Sequence, residues 1–166
     1  EIFSLIYTHL SISVDVCIRC AGYIGDNCRT VPVGSVSPEV ERLLQVTEEA
    51  MFLGIRQAVH KNRVGDVSNA VQSHVEDAGF AVITNFVGHG VGKSLHEEPQ
   101  IPNYGRAGTG PLLKRGLTVA IEPMVNMRKK EITMAADGWT ALTEDGMPSA
   151  HFEHTIMVDK DRPEIL

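Results

Sequence analysis

Four carboxylates sit in apolar, strand-like runs: Asp15 between Val14 and Val16, Asp26 after Gly25, Glu122 closing Thr118-Val119-Ala120-Ile121, and Glu153 within Phe152-Glu153-His154-Thr155. His89 lies between Gly88 and Gly90. A carboxylate buried alone is costly, and proteins usually offset that cost with a cation. Singly, each of the four reads more simply as a solvent-facing strand residue. Together, four carboxylates and an imidazole make an oxygen-and-nitrogen donor set, enough for two divalent ions if two carboxylates bridge them. Glycines beside the histidine would let the backbone approach such ions closely. Ions held in this way lower the pKa of water and supply a nucleophilic hydroxide at neutral pH, which is hydrolytic chemistry. Spacing alone does not bring the five together.

The elements that must position them are legible in outline. Residues 12–33 alternate β-rich runs around Ala21-Gly22-Tyr23-Ile24-Gly25, a hairpin carrying Asp15 and Asp26. Ser37-Pro38-Glu39 supplies a cap, a first-turn proline and a first-turn acid. Apolar or small residues at Val40, Leu43, Leu44, Thr47, Met51, Gly54, Ile55 and Ala58 then predict an amphipathic helix running to His60 or Lys61. Asp66 is expected to cap a second helix with the stripe Val67, Ala70, Val71, Val75 and Ala78, which Gly79 stops in the left-handed region. Strands are expected at 80–86, 117–121, 130–134, 139–142 and 151–158, with a polar, glycine-dense loop over 88–110. A hairpin, two helices and then mostly strands predict an α+β domain, helices packed on one face of a largely antiparallel sheet.

Composition narrows the partners. The 166 residues suffice for one domain, and 43% hydrophobic with 22% charged residues describes a globular chain rather than a disordered one. A net charge of −6 argues against a nucleic-acid surface. No apolar run reaches the roughly 18–20 residues of a membrane helix, so no membrane partner is expected. Cys17, Cys20 and Cys28 form an odd, crowded set that suits a reducing, cytoplasmic compartment. Cys17-x-x-Cys20 lacks the second pair of a zinc knuckle, and both thiols read as small hydrophobes on a strand. Gly92-Lys93-Ser94 imitates the end of a phosphate loop, but Val87 stands where that loop needs glycine.

Gly88-His89-Gly90-Val91-Gly92, Leu95-His96-Glu97-Glu98-Pro99, Ile121-Glu122-Pro123-Met124, Asp137-Gly138-Trp139-Thr140 and Phe152-Glu153-His154-Thr155 resemble, in order and spacing, the successive motifs of the type I methionine aminopeptidases. Val14-Asp15-Val16 and Gly25-Asp26-Asn27-Cys28-Arg29-Thr30 resemble that family's paired-aspartate hairpin. The resemblance covers the chain from about residue 14 to its end. It implies the pita-bread (creatinase/aminopeptidase-like) fold and the metal ligands Asp15, Asp26, His89, Glu122 and Glu153. Asp26 and Glu153 would bridge two divalent ions (cobalt, manganese, iron or zinc), Asp15 would complete one, and His89 with Glu122 the other. Glu122 would take the proton of the attacking water, and His96 would contact the scissile carbonyl. Phe86, Leu95 and Trp139 would line an apolar pocket for a thioether side chain. His151 shares the face of Glu153 by strand alternation, but neither it nor His154 is assigned a role.

The expected activity is removal of the initiator methionine from nascent polypeptides in the cytoplasm, with transient ribosome association and a monomeric full-length enzyme. Residues 1–13 resemble nothing in the family, and 14–166 read as an incomplete catalytic domain: the carboxy-terminal lobe and the metal-binding hairpin, without most of the amino-terminal lobe. That lobe would carry a further catalytic histidine, which His9 does not match, so weak or absent activity is expected of this chain. The competing readings are a non-catalytic relative that keeps the ligands, and a Pro-directed aminopeptidase or prolidase. The last is disfavoured by Met124 after Glu122-Pro123 and by Asp137-Gly138-Trp139.

Overall fold

The structure, a computed structural model, describes residues 10–166. The lead-in expectation therefore falls largely outside the described residues, while Leu10–Ser13 already belong to the first strand. Strands β1 (Leu10–Cys20) and β2 (Tyr23–Val33) form the expected hairpin, in unbroken antiparallel register from Leu10↔Val33 to Cys20↔Tyr23. Gly22, at φ +87°, takes the turn position that a side chain would resist.

Helix α1 (Pro38–Gln57) starts where the sequence places it, with Ser37 Oγ accepting from Val40 N at 3.3 Å. Its predicted stripe is buried throughout, joined by Val46 and Ala50. It ends a turn earlier than expected because tertiary partners take the next backbone groups: His60 N donates to Asp159 O and Lys61 N to Leu113 O. Helix α2 (Val64–Asp77) begins before Asp66, correcting the expected cap. Asp66 occupies the third helical position and reaches back, its Oδ2 accepting from Arg63 N at 2.7 Å while Oδ1 accepts from Gly108 N. Gly79 ends the element at φ +87°, as expected.

The remaining strands are β3 (Ala81–Val82), β4 (Gly88–Gly90), β5 (Glu97–Ile101), β6 (Thr118–Ile121), β7 (Met124–Asn126), β8 (Ile132–Met134), β9 (Ala141–Thr143), β10 (Ser149–Met157) and β11 (Glu164–Ile165). Nine strands make one antiparallel sheet along β1-β2-β10-β6-β4-β5, with β11 and β7 also on β10 and β3 on β7; β8 and β9 pair separately. The expected strand over 80–86 shrinks to two residues, and the expected loop over 88–110 contains β4 and β5. That stretch has little β propensity of its own, and its pairing is imposed by β6, with which Gly90 aligns at Val119. Phe152 and Ile156 on β10 and Val119 and Ile121 on β6 point toward Leu43, Met51, Val67 and Val71 of the helices. Burying each such side chain is worth about 1.5–3 kcal/mol. The opposite face of the same strands is left for polar residues.

Candidate metal centre

Five neighbouring strands each deliver one of the expected donors. Asp15 stands on β1, Asp26 on β2, Glu153 on β10, Glu122 directly after β6 and His89 on β4, which follow one another across the sheet. Register puts them on one face: Asp15 pairs with Cys28, Cys17 with Asp26, and Cys28 with Glu153. Donor atoms of Asp26, His89 and Glu153 all lie within 4.8 Å of one another, as do those of Asp15, Cys17 and Asp26. His89 Nε2 is 3.2 Å from Glu122 Oε1 and 3.9 Å from Asp26 Oδ2. The structure thus brings together the five residues that spacing alone left apart.

Neighbouring groups fix these side chains. His89 Nδ1 lies 2.9 Å from Gly90 O, and donating there leaves the Nε2 lone pair facing the carboxylates. Thr155 Oγ1 accepts from Asp26 N and donates to Asp26 O, both at 2.8 Å, and Cys17 Sγ donates to Asp26 Oδ1 at 2.9 Å. Asn103 Nδ2 donates to Glu122 O at 3.0 Å. The glycines beside His89 are also required by packing. A Cβ at Gly88 would press on Ala120 O, and one at Gly90 on Glu98 O, so they let β4 fit between its neighbours.

Charge is unbalanced here. Among the described residues no lysine or arginine forms an ion pair with these carboxylates; their ion-pair partners are His89 and His151. Burial, then the neighbouring carboxylates of Asp26 and Asp15, pushes Glu122 up to about 8. Burial, then Glu122, Asp26 and Asp15, pushes Glu153 up to about 9. Asp15 is raised as well, by burial first and then by Asp26. Glu122 Oε1 and Glu153 Oε1 are buried without a hydrogen-bond partner, the 3.2 Å approach of His89 to the former lacking hydrogen-bond alignment. Crowded acids, orphaned oxygens and an imidazole nitrogen turned toward them are the donor set that divalent cations satisfy, so the residues fit the metals expected of them.

The other expected residues lie unevenly around this centre. His96 is exposed, its ring edge-on to that of His89 at 4.5 Å between centroids. Leu95 is half-buried and Phe86 exposed. Trp139 stands 88% exposed between β8 and β9, outside the large sheet, so it is not a core residue. The motif around it builds a turn: Asp137 Oδ1 accepts from Trp139 N and Thr140 N at 2.9 Å, and Oδ2 accepts from Thr140 Oγ1 at 2.6 Å. These bonds, that of the Thr140 hydroxyl first, hold the Asp137 carboxyl down at about 2. Cys17 and Cys20 are exposed, against the expectation of packed small hydrophobes, whereas Cys28 is buried. The residue that sequence reasoning missed is His151. Its Nε2 is buried without a partner, 3.6 Å from Glu122 Oε2. Strand alternation already put it on the face of Glu153, and that was the available signal.

A hollow of about 890 Å³, lined by Phe52, Arg56, Arg162 and Pro163 among others, holds none of these donors. The chemistry therefore rests on the donor set rather than on the size of a cavity. Residues 6–160 match the family described as metallopeptidase family M24. The chain is 47% identical over 157 residues to the methionine aminopeptidase of Clostridium perfringens, covering 95% of this chain and 62% of that one. It is 46% identical to methionine aminopeptidase 1 of Bacillus subtilis, covering 93% of this chain and 62% of that one. Among solved structures, the methionine aminopeptidase of Rickettsia prowazekii superposes with a TM-score of 0.93 at 40% identity, over 95% of this chain and 64% of that one. A prolidase from Pyrococcus furiosus shares the fold at a TM-score of 0.74 and 19% identity, over 93% of this chain and 40% of that one. The chain thus spans about 62% of the length of these two curated relatives. The pita-bread expectation is borne out, and with five donors converging inside the matched residues, the chain belongs to metallopeptidase family M24, a family of hydrolases.

Proposed function

We propose that this site removes the amino-terminal methionine from nascent polypeptides, with two divalent cations held by Asp15, Asp26, His89, Glu122 and Glu153. The observation that supports this most is the convergence of those five donors, two of them with orphaned buried oxygens. When bound, the cations supply Lewis acidity and a nucleophile active at neutral pH. Asp26 and Glu153, on the adjacent strands β2 and β10 and on one face of the sheet, would hold both cations. Glu122, whose Oε1 has no hydrogen-bond partner, would accept the proton of the attacking water and pass it to the leaving amine. His96, exposed beside His89, donates to the scissile carbonyl as negative charge develops on its oxygen. Phe86, Leu95 and Trp139 offer apolar surface for the methionine side chain.

The exposure of Phe86, Trp139 and Asp15 leaves the substrate side open to water in this chain. Positioning errors of about 1 Å cost roughly 100-fold in rate, so the 166-residue chain by itself is expected to turn over slowly. The same exposure favours the second reading, a metal-binding chain without turnover. A cytoplasmic setting and transient contact with the ribosome belong to the proposal too. Among the described residues no helix is long and apolar enough to cross a membrane.

Elemental analysis tests the ligand set, with lower divalent-metal content expected in Glu153→Ala and His89→Ala; equal stoichiometry in all three proteins would refute it. Release of methionine from Met-Ala peptides with added manganese or cobalt tests the activity. Glu122→Gln is expected to lose at least about 100-fold. Residual release that Glu122→Gln leaves unchanged would support metal binding without turnover, and equal release of leucine and methionine would indicate a broad aminopeptidase.

A further inference from the structure

Asp15, Cys28 and His151 each place one donor atom so that all three lie within 4.8 Å of one another. Sheet register explains the cluster: Asp15 is directly opposite Cys28, Cys28 directly opposite Glu153, and His151 lies two residues before Glu153 on the same face. Its members are well fixed. Thr30 Oγ1 donates to His151 O at 2.7 Å and accepts from His151 N at 2.8 Å, and Cys28 Sγ lies 3.8 Å from the same carbonyl. A second observation is that His151 Nε2 is buried without a hydrogen bond, with Glu122 Oε2 3.6 Å away. A tetrahedral zinc site with nitrogen, oxygen and sulfur ligands at ordinary bond lengths has ligand separations of roughly 3.3–3.8 Å, so closing this cluster needs only small side-chain rotations. Its thiol makes it softer than the five-donor set, and three protein ligands leave a fourth position open.

We propose that Asp15, Cys28 and His151 form a second cation site for thiophilic ions such as zinc and cadmium, adjoining the five-donor set and sharing Asp15 with it. On binding, the Cys28 S–H bond breaks, a sulfur–metal bond forms, and the proton leaves to solvent past the exposed Asp15 side chain. An ion seated there draws Asp15 away from the five-donor set, so the two sites compete for that carboxylate. The proposal rests on this cluster and not on the hydrolase reading.

The probe is cadmium alone, titrated into the chain carrying Cys17→Ser and Cys20→Ser, with the ultraviolet thiolate-to-cadmium charge-transfer band as readout. A saturable band is expected. It disappears in Cys28→Ser, weakens about tenfold or more in apparent affinity in His151→Gln, and survives His89→Ala, which disrupts the five-donor set. Absence of the band from the double-serine chain, its persistence without Cys28, unchanged affinity in His151→Gln, or its loss in His89→Ala would each overturn the proposal. Circular dichroism checks that each variant is folded, and should Cys28→Ser fail to fold, His151→Gln decides.

Discussion

Glu122 and Glu153 illustrate how a site can be functional and locally unfavourable at once. Both carboxyls are held above the ordinary 4.5, to about 8 and about 9, by burial first and by neighbouring acids second. A group whose folded pKa exceeds its unfolded one contributes stability that is complete below the unfolded value and is lost as pH rises through the folded value. The metal-free chain is therefore expected to lose stability from slightly acidic to mildly alkaline buffer, each kcal/mol lowering Tm by roughly 2–4 °C at this size. Added divalent cation should raise Tm most at the alkaline end, where it replaces the missing protons. Thermal melts with and without chelator check this, and a metal-free Tm that climbs across the interval would contradict it. At this scale the sequence announces the donors well, because a carboxylate inside an apolar strand invites a reason. It does not announce Cys17 as a donor to Asp26, or His151 as a buried orphan. Those roles arise only when three strands align, and no local pattern within one strand encodes cross-strand distance.

Elements show the same division between local and imposed order. The helices are legible because capping and apolar stripes are local properties, and Ser37-Pro38 and Gly79 do what their chemistry dictates. Strand β4 is hidden, since Gly88-His89-Gly90 has no β-forming side chain to display. Its glycines are required by their neighbours: a Cβ at either one would run into backbone carbonyls of β5 or β6, which cannot rotate away. Gly88→Ala and Gly90→Ala are each expected to destabilise the fold by about 1–3 kcal/mol and to weaken metal binding by displacing His89. Gly92→Ala is the control, since its Cβ meets only the far end of the Glu97 side chain, which can move. Urea midpoints and metal titrations measure both effects. Equal behaviour of Gly90→Ala and Gly92→Ala would show that β4 is not held by close packing.

For the whole molecule, the decisive feature is how far the helices reach. Among the strands, helix α1 packs chiefly against β10, two strands in from β1, the edge of the large sheet among the described residues. Ile12, Val14, Val16 and Ile18 consequently form a row between 48% and 61% exposed, extended by Val31 opposite Ile12. Composition could not reveal this, because it counts apolar residues without saying which a partner element covers. An uncovered apolar row on an edge strand favours association with another copy, through both apolar contact and unpaired backbone groups. The net charge of −6 opposes association at long range, but at physiological salt the repulsion is screened within about 8 Å and contact prevails. The 166-residue chain is therefore expected to self-associate reversibly as its concentration rises, and more strongly as salt rises. Val14→Lys together with Val16→Lys should return it to monomer by placing charges on the row, without touching Asp15 on the other face. Sedimentation velocity across a concentration series decides the matter: a wild-type chain that stays monomeric, or a lysine pair that leaves association unchanged, would mean that this surface does not drive assembly.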